Sequence, residues 1–122
     1  MTARHLQRLT GLEIEVSRLA PGRWVATGTL LKTLGALVTG EGTTKEKALL
    51  RLRQENLNYL LYCLVRKQGD RCALCGKKGG GFEFDHIVSR ARGGLDVIQN
   101  GRAVHPDCHR SRHGVPEWRT TV

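Results

Sequence analysis

Histidine and cysteine are not spread evenly along this chain. Four of its five histidines and three of its four cysteines fall between Cys72 and His113. Cys72-Ala73-Leu74-Cys75-Gly76 sets two thiols three residues apart with a glycine behind them, and His105-Pro106-Asp107-Cys108 repeats the spacing. Thiolates and imidazoles so spaced can reach one tetrahedral ion, and a glycine lets the backbone turn back beneath it. Cys72, Cys75, His105 and Cys108 thus make a candidate Cys3His zinc site. Four protein donors leave no position for water, so the expected role is structural.

A second group lies within and just beyond the two pairs. Phe82 to Val88 alternates as a strand does, so Asp85 and His86 should leave it on opposite faces. Arg92-Gly93-Gly94-Leu95 reads as a loop and Asn100-Gly101 as a turn. Pro106 can open a helix, where its missing N–H costs nothing, and His109 and His113 would share one face of that helix. One carboxylate with imidazoles can hold a divalent ion and leave positions open for phosphate and water. An imidazole, with an ordinary pKa of about 6.5, can take a proton from water at neutral pH. Together these are the requirements for hydrolysing a phosphodiester.

Asp85-His86, then Gly93-Gly94, Asn100 and His109, framed by the two pairs, resemble the HNH endonuclease family. The resemblance spans roughly residues 70–114 and is closest to the form attached to group II intron maturases and found in small phage proteins. The spacing on to His113 is also similar to colicin-type nucleases. It implies a ββα-metal module in which Asp85 and His109, with His113 as a third donor, bind one catalytic divalent ion: Mg²⁺, Mn²⁺, Ni²⁺ or Zn²⁺. It further implies His86 as general base and Asn100 as the residue that fixes the loop orienting it. The activity implied is cleavage of DNA, most naturally double-stranded, in the cytoplasm of a bacterium or as a phage product. A zinc-stabilised module that only binds nucleic acid, and a nuclease acting on RNA, are the alternatives. The chain departs from the pattern at Ser89, where proline is usual, and at Gly101, where leucine is usual.

The rest of the chain must position these groups. A short helix over residues 2–10 is expected, then strands over 12–16, 24–31 and 36–39, with a turn at Ala20-Pro21-Gly22-Arg23. Thr43 or Thr44 can cap a helix running from Lys45 to Lys67. Ala48, Leu49, Leu52, Tyr59, Leu60, Cys63 and Leu64 would form its buried stripe, widened by Leu50, Leu57, Leu61 and Val65, so the helix should pack on two sides. The expected architecture is therefore α+β: a three-stranded antiparallel sheet with a long helix over residues 1–68, then the HNH-like module over 69–122. The αβββα order and the phrase Gly40-Glu41-Gly42-Thr43-Thr44-Lys45-Glu46-Lys47-Ala48 partly resemble a double-stranded-RNA-binding domain, which makes residues 1–68 a candidate nucleic-acid-binding unit.

The net charge of +9 is shared between both halves. Such an excess attracts polyanions, or serves solubility alone. Arg90, Arg92, Arg110 and Arg112 are candidates for gripping a phosphate backbone, with Arg102 close by. Trp118 is expected to pack the tail onto the module. No run approaches the roughly 20 apolar residues of a membrane span, and Met1 to Leu6 does not read as a signal peptide, so reduced thiols in a cytoplasm are expected.

Overall fold

The chain enters its first helix, α1 (Ala3–Thr10), through Thr2, whose hydroxyl accepts the His5 N–H at 3.1 Å. The structure is a computed structural model describing residues 1–30 and 36–113, without the side chains of Leu30, Ala36, Arg112 and His113. Three antiparallel strands follow: β1 (Glu13–Ala20), β2 (Arg23–Leu30) and β3 (Ala36–Gly42), in the spatial order β1-β2-β3. The β1–β2 turn is the Pro21-Gly22 pair, with Ala20 facing Arg23 across it. The first and third strands run longer than their alternation suggested, because pairing with β2 carries them on.

Helix α2 (Lys45–Lys67) has the bounds expected of it. Thr44 caps it, accepting the Lys47 N–H at 3.2 Å. Ala48, Leu49 and Leu52 join Leu6, Leu9 and Ala26 in the buried core, which lies between the sheet and the two helices. The far end of α2 serves another purpose: Leu64 is buried, and the helix packs there on a two-stranded antiparallel hairpin. That hairpin is β4 (Glu83–His86) and β5 (Gly101–Val104), followed by α3 (Pro106–His113). Packing on two sides is thus observed, but not through every expected residue: Leu50 and Tyr59 are exposed, and Cys63 is only half-buried. A helix with apolar residues on most of its faces does not disclose which of them its neighbours will cover.

Two contacts lock α2 to the hairpin. Gln68, just past the helix, donates to the Ala103 carbonyl at 2.9 Å and accepts the Ala103 N–H at 2.9 Å, acting as a strand partner made from a side chain. Gly101 lies close against the Phe84 ring and Leu64: a Cβ there would sit 2.4 Å from Phe84 Cζ and 2.9 Å from Leu64 Cδ1. The close approach of Phe84 and α2 leaves no room for a side chain at this position. Among the described residues no helix is long and apolar enough to cross a membrane.

Candidate zinc cluster and nuclease site

The donor atoms of Cys72, Cys75, His105 and Cys108 all lie within 4.8 Å of one another, and all four cysteines of the chain are free thiols. The knuckle is built by backbone N–H groups aimed at sulfur. Cys72 Sγ accepts from His105 N at 3.3 Å, Leu74 N at 3.4 Å and Cys75 N at 3.5 Å. Gly76 closes the turn with φ of 73°, in the left-handed region that favours glycine, donating to the Cys72 carbonyl at 2.9 Å. Burial pushes the Cys72 thiol up, but the N–H donors from Cys75, His105 and Leu74 outweigh it and bring the thiol down to about 6. Cys108 goes the other way: burial and the neighbouring sulfurs push it up to about 11. His105 Nδ1 stands 3.3 Å from Cys75 Sγ, while its Nε2 lies 2.7 Å from the Gly79 carbonyl and its ring stacks on Phe82. With Nε2–H donated to that carbonyl, Nδ1 is the nitrogen presented to the cluster. The set can hold a zinc ion, and it joins the start of the module to its last helix.

On the hairpin face beside it, β4 directs Glu83 and Asp85 toward α3. Asp85 is fully buried. Its Oδ1 stands 3.5 Å from His109 Nε2, and its Oδ2 accepts from Arg102 Nη2 at 2.9 Å. His109 Nδ1 lies 2.8 Å from Glu83 Oε2. The two proposed donors are thus aimed at each other, each held from behind, and a carboxylate behind a ligating imidazole is a common way to fix its tautomer. This donor pair suits a divalent cation. Arg102 Nε is buried and finds no hydrogen-bond partner among the described residues. The side chains of His113 and Arg112, and the whole of Trp118, lie outside the described residues.

His86 leaves the opposite face, as the alternation required. Its Nε2 is 2.7 Å from Asp96 Oδ1, and its ring meets the Phe84 ring edge-on at 4.7 Å between centroids. Asn100 sits where it can hold the intervening loop: Oδ1 accepts the Val88 N–H at 2.8 Å, and Nδ2 donates to the Val88 and Leu95 carbonyls at 3.1 and 2.9 Å. Its backbone carbonyl accepts the Ile87 N–H at 2.9 Å. The structure thus pairs Asp85 with His109 and sets His86 and Asn100 around the far end of the same hairpin. Arg90 and Arg92 are exposed on a short 3-10 turn, and Arg110 pairs with Asp107 on the surface of α3.

Residues 72–114 match the family model of the HNH endonucleases. This segment is similar to an HNH domain. The match points to a nuclease or nucleic-acid-binding role, with a Cys3His group that can hold metal. Neither the curated proteins nor the solved structures yield a match to the chain.

Glu83, Asp96 and Arg53 are not singled out by the sequence, and Arg102 is marked there only as a basic residue close to the site. Glu83 and Arg102 flank the Asp85–His109 pair, and Asp96 and Arg53 stand behind His86. Glu83 shares a strand face with Asp85, which the period of two could have revealed. Arg53 follows Leu49 by four and Leu52 by one, so it borders the buried stripe, where a cation calls for an acid. Asp96, in a glycine-rich loop, reads as an ordinary turn residue.

Proposed function

We propose that the chain is a divalent-metal-dependent endonuclease that hydrolyses phosphodiester bonds in DNA. The observation that carries this reading is the convergence of Asp85 Oδ1 and His109 Nε2, 3.5 Å apart and each backed by its own partner. Asp85, His109 and His113 would hold the ion, which when bound supplies positive charge to the scissile phosphate and the leaving oxygen. His86 is the general base. Its Nε2 is turned to Asp96, so Nδ1 carries the lone pair that takes the proton of the attacking water. Asn100 keeps the loop from Val88 to Leu95 in place around that base. Arg102 reaches over Asp85 and can donate to a phosphate oxygen. Arg90, Arg92, Arg110 and Arg112 grip the backbone, which positions the strand without reading its sequence. Residues 1–68 form a nucleic-acid-binding unit that raises affinity, and residues 69–122 form the cutting unit.

The test is incubation of supercoiled plasmid, linear duplex and RNA with the purified protein, with divalent ions and with chelator. Plasmid cleavage that needs a divalent ion is expected. The His86→Ala variant should keep its zinc and its affinity for duplex yet lose cleavage. Cleavage by that variant at the wild-type rate refutes the assignment of His86, and binding without cleavage under every ion refutes the enzyme reading.

A further inference from the structure

We infer that Arg53 and Asp96 are positioning residues for the reaction, through which the long helix of the N-terminal unit sets the ring of His86. The inference rests on the reading of His86 as general base. Asp96 is fully buried, and three side-chain nitrogens converge on its carboxylate. Arg53 Nε donates to Oδ2 at 2.7 Å and Arg53 Nη2 to Oδ1 at 3.3 Å, while His86 Nε2 lies 2.7 Å from Oδ1. A buried carboxylate is costly unless it is paired and hydrogen-bonded, so Arg53 is what allows an acid to stand at this place.

The anchorage is to the N-terminal unit. Arg53 lies on α2 one residue past Leu52 of the main core, and the Asp96 N–H donates to the Leu9 carbonyl in the last turn of α1 at 2.8 Å. The zinc cluster and Asn100 do not supply this restraint: Asn100 holds the backbone at Val88 and Leu95, not the imidazole. An imidazole has two tautomers and can turn about its ring bond. A carboxylate facing Nε2 selects the tautomer with hydrogen there, which puts the lone pair on Nδ1, and Phe84 limits the swing of the ring. The orientation of the base is thus a property of the whole chain, not of the HNH-like module alone.

The experiment uses the full-length, zinc-loaded protein. Asp96→Asn, Arg53→Gln and Arg53→Lys are compared with wild type and with His86→Ala, with a double Arg53→Gln, Asp96→Asn variant that removes both charges in case a single change unfolds the protein. Zinc content and the melting transition check the fold. Plasmid cleavage is read as kcat and KM separately, and nitrogen NMR of the His86 ring reads its tautomer. Expected are the Nε2–H tautomer in wild type, its loss in Asp96→Asn and the double variant, and kcat at least about tenfold lower with KM unchanged, up to the roughly 10²–10⁴-fold that a general base contributes. Arg53→Lys should recover part of the loss seen in Arg53→Gln. If His86→Ala abolishes cleavage but the folded Asp96 and Arg53 variants keep wild-type kcat, the inference is overturned and the base assignment stands. If His86→Ala cleaves normally, the base assignment falls and the inference falls with it, whichever tautomer the ring adopts.

Discussion

Removing zinc should unfold the HNH-like module and leave the N-terminal helices and sheet standing. The main core is made of Leu6, Leu9, Ala26, Ala48, Leu49 and Leu52, none of which lies beyond the first half of α2. Past Leu64, the buried apolar residues among the described ones are Cys72, Ala103 and Val104, and Cys72 is a member of the cluster itself. A unit of roughly 40–50 residues with so little core depends on a metal or another staple to fold. Structural zinc supplies about 10–16 kcal/mol in small zinc-binding peptides, as much as the whole stability of about 5–15 kcal/mol expected of a domain. Stripping it therefore removes more than the module can spare. The assay is amide exchange before and after zinc is stripped with a chelator and shown to be absent. The Ala73, Gly76 and His109 amides, which donate to Ala103, Cys72 and His105, should exchange faster by on the order of a hundredfold or more, the equivalent of ~3 kcal/mol or greater. The Ala48 and Leu49 amides of α2 should change little. Unchanged protection at Ala73, Gly76 and His109 in metal-free protein would refute this reasoning.

Three further outcomes are expected. Because the metal-free module is unfolded, the Cys72 and Cys108 thiols start near their ordinary value of 9.0, and zinc uptake near neutral pH should release about one proton from each. Calorimetry in buffers of different ionisation enthalpy should therefore show release falling by about one proton in Cys72→Ala and in Cys108→Ala alike, and release unchanged in either variant would contradict ligation by that thiolate. Gly101→Ala should cost about 1–3 kcal/mol in urea unfolding, because its methyl would meet Phe84 at 2.4 Å, and a neutral result would show that the ring can move aside. Since an imidazole is among the proposed ligands, Mn²⁺ or Ni²⁺ should support cleavage at least as well as Mg²⁺ in protein freed of other ions at the catalytic site, and activity with Mg²⁺ alone would contradict that ligand set.

What could be seen in the sequence was whatever local spacing controls. The cysteine pairs and the Lys45–Lys67 bounds are short-range facts, set by ligand reach and by the Thr44 cap, and the structure agrees with both. The strand expected over Phe82–Val88 is shorter, ending at His86, because Asn100 takes the Val88 N–H and carbonyl out of the ladder with its side chain. That is a contact across twelve residues which alternation does not encode. The Arg53–Asp96 pair spans 43 residues and joins a helix to a loop, so nothing in either neighbourhood names its partner. Leu50 and Tyr59 mislead for a related reason: hydrophobicity marks what can be buried, and only the neighbours decide what is.

The most direct test of the central claim is the Mn²⁺ dependence of plasmid cleavage for wild-type protein beside Asp85→Asn and His109→Ala, with the zinc cluster loaded in all three. A saturating curve is expected for wild type. For each variant the curve should shift to ion concentrations about ten- to a hundredfold higher, or cleavage should be lost altogether. Wild-type curves from both variants would mean that Asp85 and His109 do not hold the ion on which cutting depends.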